Sequence, residues 1–310
     1  GSAALFTSLY ACEINAGDHV ITQPFTFVAT CNAISQVGAD PIFVDISSET
    51  LGMNPCCLED YLHSEAEIKG KKTIHKTTKR PIKAVIPMHS FGHPAEIDKI
   101  EKICQKWNLI LIEDAAESLG SLFKTKHTGT FGKLGVLSFN GNKIITTGGG
   151  GAVLTNDEKL GGLIRHLSTT AKKKHPYYFN HDMNAFNLRL PNLNACLGLS
   201  QIKKLKVYLE AKRSIAMLYK EFFSTSSITF INEPKDSRSN FWLNTIKFES
   251  KKERDIFLKE TNKVGIMTRP PWTLMTKLPM YANSLKGSLD ISQDMENMLL
   301  NLPSSYTKNV

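Results

Sequence analysis

Leu109-Ile110-Leu111-Ile112-Glu113-Asp114-Ala115-Ala116-Glu117-Ser118 is the stretch on which the reading of this chain turns. Four apolar residues in succession, with no polar residue at alternate positions, suit a strand buried on both faces, and the two carboxylates mark its carboxyl end. Comparable short runs lie on either side: His19 to Thr22, Pro41 to Ile46 (PIFVDI), Ala84 to His89 (AVIPMH), Gly135 to Asn140 (GVLSFN) and Gly151 to Thr155. Helical patterns separate them, in the stretch after Phe27 and from Pro94 to Trp107. Strand–helix alternation of this kind predicts an α/β fold with a large, doubly wound, mostly parallel sheet.

Further along, Leu199, Ile202, Leu205 and Leu209 recur at helical spacing, which predicts one long helix from about Leu193 to Phe223. It is expected to join a large domain, residues 1–205, to a smaller C-terminal α+β domain, residues 206–310. The smaller part reads as a strand near Phe241 to Phe248, a helix near Lys252 to Lys263 and a proline-rich turn at Arg269 to Trp272.

Composition narrows the class. The 310 residues are 41% hydrophobic and 22% charged, ordinary for a soluble globular protein. No apolar run approaches the roughly 20 residues a bilayer-spanning helix needs, and no secretion signal opens the chain. The six cysteines show neither CxxC nor zinc-ligand spacing, so they read as reduced thiols of a cytoplasmic protein with no metal site. The net charge of +9 is concentrated in Lys69 to Lys83 and in Lys172-Lys173-Lys174-His175. Such charge suits nucleic acid or a phosphorylated small molecule. The first run reads as a solvated surface excursion between a helix and a strand, and no nucleic-acid signature accompanies either run.

In a doubly wound sheet, ligands bind beyond the carboxyl ends of the strands. That rule singles out Asp114, His89 and the residues just after Phe139. Asp114 is a carboxylate able to make a charge-assisted hydrogen bond in a cleft; an aspartate at such a junction also serves as a helix N-cap. Lys143 follows a strand in Ser138-Phe139-Asn140-Gly141-Asn142-Lys143, ahead of Gly148-Gly149-Gly150-Gly151. Four glycines let the backbone pass close to other elements, or turn where a Cβ would clash. Lys143 is either a reactive amine in a crowded pocket or a surface lysine before a glycine hairpin. Gly1-Ser2 opens a helical pattern and offers an anion backbone N–H groups and a hydroxyl, or is an ordinary cap. A lysine, a carboxylate and an anion cradle are what pyridoxal phosphate requires: an amine for its aldehyde, an acid against its ring nitrogen, and donors for its phosphate.

With these residues in view, the chain resembles the DegT–StrS family of sugar aminotransferases. The resemblance rests on Gly1-Ser2-Ala3-Ala4-Leu5, Gly17-Asp18-His19-Val20-Ile21, Thr26-Phe27-Val28-Ala29-Thr30 and Glu113-Asp114-Ala115-Ala116. It continues through Ser138 to Gly151 and Phe186-Asn187-Leu188-Arg189-Leu190-Pro191, in family order over nearly the whole chain. Later motifs, Arg238-Ser239-Asn240-Phe241-Trp242-Leu243-Asn244, Thr268 to Trp272 and Asn301 to Ser305, resemble the branch making 4-amino-4,6-dideoxy-N-acetylhexosamines, precursors of bacillosamine or legionaminic acid.

The resemblance implies the fold type I of pyridoxal-phosphate aminotransferases, with Lys143 carrying the cofactor and moving the proton. Asp114 would then face the pyridine nitrogen, and Glu117 would lie near the ring hydroxyl, where relatives often have glutamine. Phe27 would stack on the ring, unless it is a core phenylalanine, and Ser2, Ala3 and Ser138 would hold the phosphate. Asn187 would reach that phosphate across a homodimer interface, with Arg189 nearby, so that active sites are shared. His89, the loop Lys172 to Tyr178 with Lys174 and Tyr178, and Arg269 with Trp272 are the candidates for holding a nucleotide-sugar. The implied reaction moves an amino group from L-glutamate to a nucleotide-linked 4-keto-6-deoxy sugar for surface-polysaccharide synthesis. Members of the family carry several dozen residues ahead of the Gly-Ser-Ala-Ala-Leu motif, so an N-terminal segment is expected to be missing. The alternative is a truncated, non-catalytic or regulatory paralogue that keeps the fold.

Overall fold

The computed structural model describes residues 1–305. Helix α1 (Ser2–Ala11) leads to strand β1 (His19–Thr22), α2 (Val28–Gln36), β2 (Asp40–Phe43) and α3 (Pro55–Glu65). A hairpin of β3 (Ala66–Lys69) and β4 (Lys72–His75) runs into β5 (Pro81–Ile86), α4 (Ile97–Lys106) and β6 (Ile110–Asp114). The short strands β7 (Leu122–Phe123) and β8 (Lys126–His127) precede β9 (Leu134–Ser138), β10 (Gly151–Leu154) and α5 (Glu158–Ser168). Helices α6 (Asn192–Ile202) and α7 (Leu205–Phe223) lead to the C-terminal part. There β11 (Thr229–Phe230), β12 (Ser237–Arg238) and β13 (Asn244–Lys247) are followed by α8 (Lys251–Lys263), α9 (Asp290–Met298) and β14 (Leu299–Leu302).

The main sheet has the order β10-β9-β6-β5-β1-β2, with only β10 antiparallel along that path. Its apolar runs are two-sided, because successive side chains of a strand point to opposite faces. Ile21, Val85 and Leu111 pack with α3 and α4 on one face, through Leu58, Leu62, Ile97, Ile100 and Ile103. Their neighbours Val20, Ala84, Ile86 and Ile112 pack on the other face with α1, α2 and α5, through Leu5, Leu9, Ile34, Leu160 and Leu167. Covering helices on both faces is the doubly wound arrangement expected from the sequence.

Two expectations about elements need correction. Lys69 to Lys83 is not a loop: β3 and β4 form an antiparallel hairpin, and Thr73 and Ile74 of β4 pair with β5. Thr73 and His75 point inward and are buried while the lysines stay in water, so an alternating strand was hidden by its charge. The long helix is also two helices, interrupted at Lys203 and Lys204. Leu205 and Leu209 pack on the core, whereas Leu199 and Ile202 are more than half exposed, so the single apolar stripe serves two different surroundings.

In the C-terminal part, a three-stranded sheet, β11-β13-β14, packs with α7 and α8 around Phe223, Phe230, Phe241, Ile246 and Leu300. This part shares an apolar cluster with the main sheet, in which Phe25, Phe91 and Ile144 meet Trp242, Leu274 and Leu299. Strand β12 also pairs with β7. Residues 240–242 are thereby held against the carboxyl ends of the main strands. No helix among the described residues is long and apolar enough to cross a membrane.

Candidate active site

Strands β6 and β9 end at a cavity of about 1290 Å³, into which Asp114, Glu117, Ser138 and Lys143 all face. Asp114 is the last residue of β6 and is 2% exposed. No helix follows it, so it is not a helix N-cap; its Oδ1 accepts the N–H of Ala116 at 3.1 Å within a turn. Its Oδ2 accepts the hydroxyl of Thr30, in α2, at 2.7 Å. Each carboxylate oxygen has a second lone pair. The group can therefore accept a further donor from the cavity without giving up either partner.

Lys143 lies in the turn after β9, its N–H donated to the Asn140 carbonyl at 3.1 Å. Its side chain is 12% exposed, and Nζ stands 3.4 Å from Glu117 Oε1 and 4.1 Å from the centre of the Trp242 ring. It is a lysine of the cavity wall, not of the surface. Glu117 is buried, and its Oε2 accepts the N–H of Phe91 at 2.9 Å. Burial pushes this carboxyl up to about 7, against the pull of the Lys143 charge and the Phe91 N–H. Phe91 itself has φ of 57°, a left-handed bend that the Glu117 contact helps to hold.

The N-terminus of α1 borders the same cavity through Gly1, Ser2 and Ala3. Its first-turn N–H groups have no carbonyl partner within the helix and no side chain caps them. Together with the helix dipole they form an anion site, beside which lies Ser138. The glycines explain the close approach. A Cβ on Gly1 would stand 3.0 Å from Ser138 Cβ, and one on Gly151 would stand 2.6 Å from the Leu137 carbonyl oxygen.

Phe27 is 48% exposed and lines the cavity, so it is not a core phenylalanine; its ring is open for stacking. Asn187, Arg189 and Trp272 also line the cavity, Trp272 with its ring packed 4.8 Å from that of Phe91. Other expected residues lie elsewhere. His89 is wholly buried, Nδ1 accepting the Ala95 N–H at 3.1 Å and Nε2 lying 3.1 Å from Glu113 Oε2. Both ring nitrogens are committed, so His89 is corrected from a substrate contact to a structural residue. Arg269 is exposed and does not line this chain's own cavity, its backbone bridged to Asn301. Lys174 and Tyr178 sit on an exposed loop that does not line this chain's own cavity.

Two residues of the site escaped the reading of the sequence. Thr30 and Trp242 stand out in the sequence only as members of motifs. Trp242 reaches the site from the C-terminal part, and its Nε1–H donates to the Asn142 carbonyl at 2.7 Å, 100 residues away in the chain.

Pyridoxal phosphate can be tested against this geometry. It needs an amine, a carboxylate for the ring nitrogen and a phosphate cradle around one space. Lys143, Asp114 with its spare lone pairs, and the glycine-lined start of α1 with Ser138 border one cavity, so the residues present fit the group.

Comparison with known proteins agrees. Residues 1–308 match the DegT/DnrJ/EryC1/StrS aminotransferase family. GDP-perosamine synthase of Escherichia coli O157:H7 is 35% identical over 304 residues, covering 98% of this chain and 78% of the relative. EpsN of Bacillus subtilis (strain 168), whose name describes a pyridoxal phosphate-dependent aminotransferase, is 36% identical over 286 residues, covering 92% of this chain and 71% of that protein. A crystal structure of a DegT DnrJ EryC1 StrS aminotransferase from Brucella abortus superposes with a TM-score of 0.89 at 28% identity, covering 98% of this chain and 79% of that one. The chain belongs to the DegT/DnrJ/EryC1/StrS aminotransferase family and is a pyridoxal-phosphate-dependent sugar aminotransferase.

Proposed function

We propose that this enzyme moves the amino group of L-glutamate onto the 4-keto group of a nucleotide-linked 4-keto-6-deoxy sugar, of the N-acetylhexosamine type, carried on UDP or GDP. The observation that carries the reading is the convergence of Lys143 and Asp114 on one cavity that also holds an anion cradle. The relative named GDP-perosamine synthase supports a nucleotide-linked amino sugar as product. The intact lysine and carboxylate favour catalysis over a regulatory role for the same fold.

Bound pyridoxal phosphate supplies an electron sink that lets a proton leave the carbon bearing the amine. The chain's own residues do the rest. Lys143 would accept that proton from the donor's Cα and give it back to the carbon on the other side of the nitrogen that joins donor and cofactor. Asp114, held by Thr30 and the Ala116 N–H, would keep a proton on the ring nitrogen by a charge-assisted hydrogen bond. The α1 N-terminus, through Ser2 and Ala3, and the Ser138 hydroxyl would hold the phosphate. Phe27 offers its open ring for stacking, and Arg189 and Trp272 offer a cation and a flat apolar wall to the nucleotide-sugar.

The working unit we propose is a homodimer. Tyr177, Phe179 and Leu193 are 82%, 77% and 87% exposed and Leu199 and Ile202 more than half exposed, large apolar side chains of the loop and of α6 that a lone chain would leave in water. Lys174 and Tyr178, on the same loop, would then serve the second copy's cavity, and Asn187 would lie at the seam.

An absorbance titration with pyridoxal phosphate tests the reading. A visible band should form, bleach on adding L-glutamate, and be absent in Lys143→Ala. A protein that takes up no cofactor through Lys143 would end the proposal. Offering UDP- and GDP-linked 4-keto-6-deoxy sugars to the glutamate-treated enzyme then decides the acceptor, by which of them restores the band.

A further inference from the structure

The amine of Lys143 is held between two groups that come from different parts of the chain. On one side is the Glu117 carboxyl, 3.4 Å away; on the other is the face of the Trp242 indole, 4.1 Å from the ring centre. Both are themselves fixed. Glu117 Oε2 takes the Phe91 N–H at 2.9 Å, and the Glu117 carbonyl takes the Asn240 side-chain amide at 2.8 Å. Asn240 Oδ1 in turn accepts the Trp242 N–H at 2.8 Å, and Trp242 Nε1–H donates to the Asn142 carbonyl at 2.7 Å. The segment 240–242 therefore ties Glu117, in the turn after β6, to the turn that carries Lys143.

A carboxylate and an aromatic face are the two surroundings that favour a protonated amine. Neither is needed while the lysine is bonded to a cofactor, since that nitrogen is then occupied. We infer that Glu117 and Trp242 form a berth that receives the amine of Lys143 whenever it is released from the cofactor, with Glu117 as the carboxyl that shares its proton. This rests on the reading of Lys143 given above. A free lysine with no such place could swing into the space the incoming keto sugar requires, and would lose the fixed position from which it delivers a proton. The position of Glu117 suits the sharing: burial raises its carboxyl to about 7, so it can both hold and release a proton near neutrality. The other charged groups that act on this space are Asp114, at the end of β6, and the Gly1 nitrogen at the start of α1.

The test uses the full chain freed of cofactor, with acetic anhydride as the amine probe and peptide mass spectrometry to read each lysine across pH. Glu117→Gln removes the charge and keeps the shape, so acetylation of Lys143 at neutral pH should rise about tenfold. Other lysines serve as internal controls. Trp242→Leu should raise it about threefold, and Trp242→Phe, which keeps an aromatic face, should restore most of the protection. Thermal unfolding identifies any variant that has lost its fold. A Lys143 profile unchanged in folded Glu117→Gln, or equal in Trp242→Phe and Trp242→Leu, overturns the berth. That outcome is separate from failure of the cofactor reading, which shows as a wild-type protein lacking the Lys143-dependent visible band.

Discussion

The hydroxyl of Thr30 donates to Asp114 Oδ2 at 2.7 Å, joining α2 to the end of β6 across 84 residues of chain. A hydrogen bond to a carboxylate buried to this degree fixes its direction, and removing the donor leaves a buried oxygen with one partner fewer. Thr30→Val keeps the shape and removes the donor. Affinity for pyridoxal phosphate should fall by about 1.5–3 kcal/mol, roughly ten- to a hundredfold. Asp114→Asn should bind the cofactor yet slow the glutamate half-reaction far more than Thr30→Val does. Titration of the visible band and stopped-flow bleaching measure the two effects; equal slowing in both variants would refute the separate roles.

His89 and Glu113 are both wholly inaccessible, and Glu113 also accepts the N–H groups of Gly129, Phe131 and Gly132 at 2.7, 2.6 and 2.8 Å. His89→Ala should cost about 2–4 kcal/mol in urea unfolding while leaving KM for the sugar unchanged. A raised KM at intact stability would return His89 to the substrate.

Burial raises the Glu113 carboxyl, but the His89 and backbone hydrogen bonds outweigh it and hold the group below its ordinary range. A depressed carboxyl contributes stability above its unfolded value, near pH 4.5, and that contribution is lost as pH falls through the folded value. Glu113→Gln should therefore be less stable than the parent at pH 7, and the gap should narrow in acid unfolding below about pH 4.5.

His93 has neither ring nitrogen partnered among the described residues, and burial lowers it from 6.5 to about 4. The unfolded chain binds a proton near 6.5 and the folded chain does not until about 4, so folding stability declines as pH falls through that window. The decline attributable to His93 is about 3 kcal/mol at its acid end. His93→Leu, which fits the edge-on space against Phe241, should flatten that part of a urea-midpoint-versus-pH curve. An unchanged slope would show that other groups dominate.

Leu193 is 87% exposed at the start of α6, a helix with no buried residue. If that face is the subunit seam, Leu193→Glu with Phe179→Glu should yield a folded monomer by sedimentation, with transaminase activity lost. A double variant that stays dimeric and active would place the interface elsewhere.

Much of the architecture could be read directly from residue order. Runs such as Leu109 to Asp114 and Gly135 to Ser138 lack polar alternation because both faces of their strands are covered, and that pattern survives without coordinates. Asp114 and Lys143 stood out as candidates because one ends a strand and the other closely follows one, and the direction of those strands puts both ends at a shared edge. The hairpin at Lys69 to His75 was not legible, because its inward residues are Thr73 and His75 rather than aliphatic ones. Nor was the break at Lys203 and Lys204, where an unbroken apolar stripe passes from a bare face to a packed one.

Local spacing alone thus determined the sheet and its edge, and left Lys143 and Asp114 each with two readings, a cavity group or an ordinary surface or capping residue. It could not say that Thr30 supports the carboxylate, that Trp242 covers the amine, or that His89 is consumed by Glu113. Those contacts join residues far apart in the chain, and they exist only because packing of the helices and of the C-terminal part brings them within hydrogen-bonding or van der Waals reach. Side-chain periodicity records which way a residue faces, not which distant residue it will meet there.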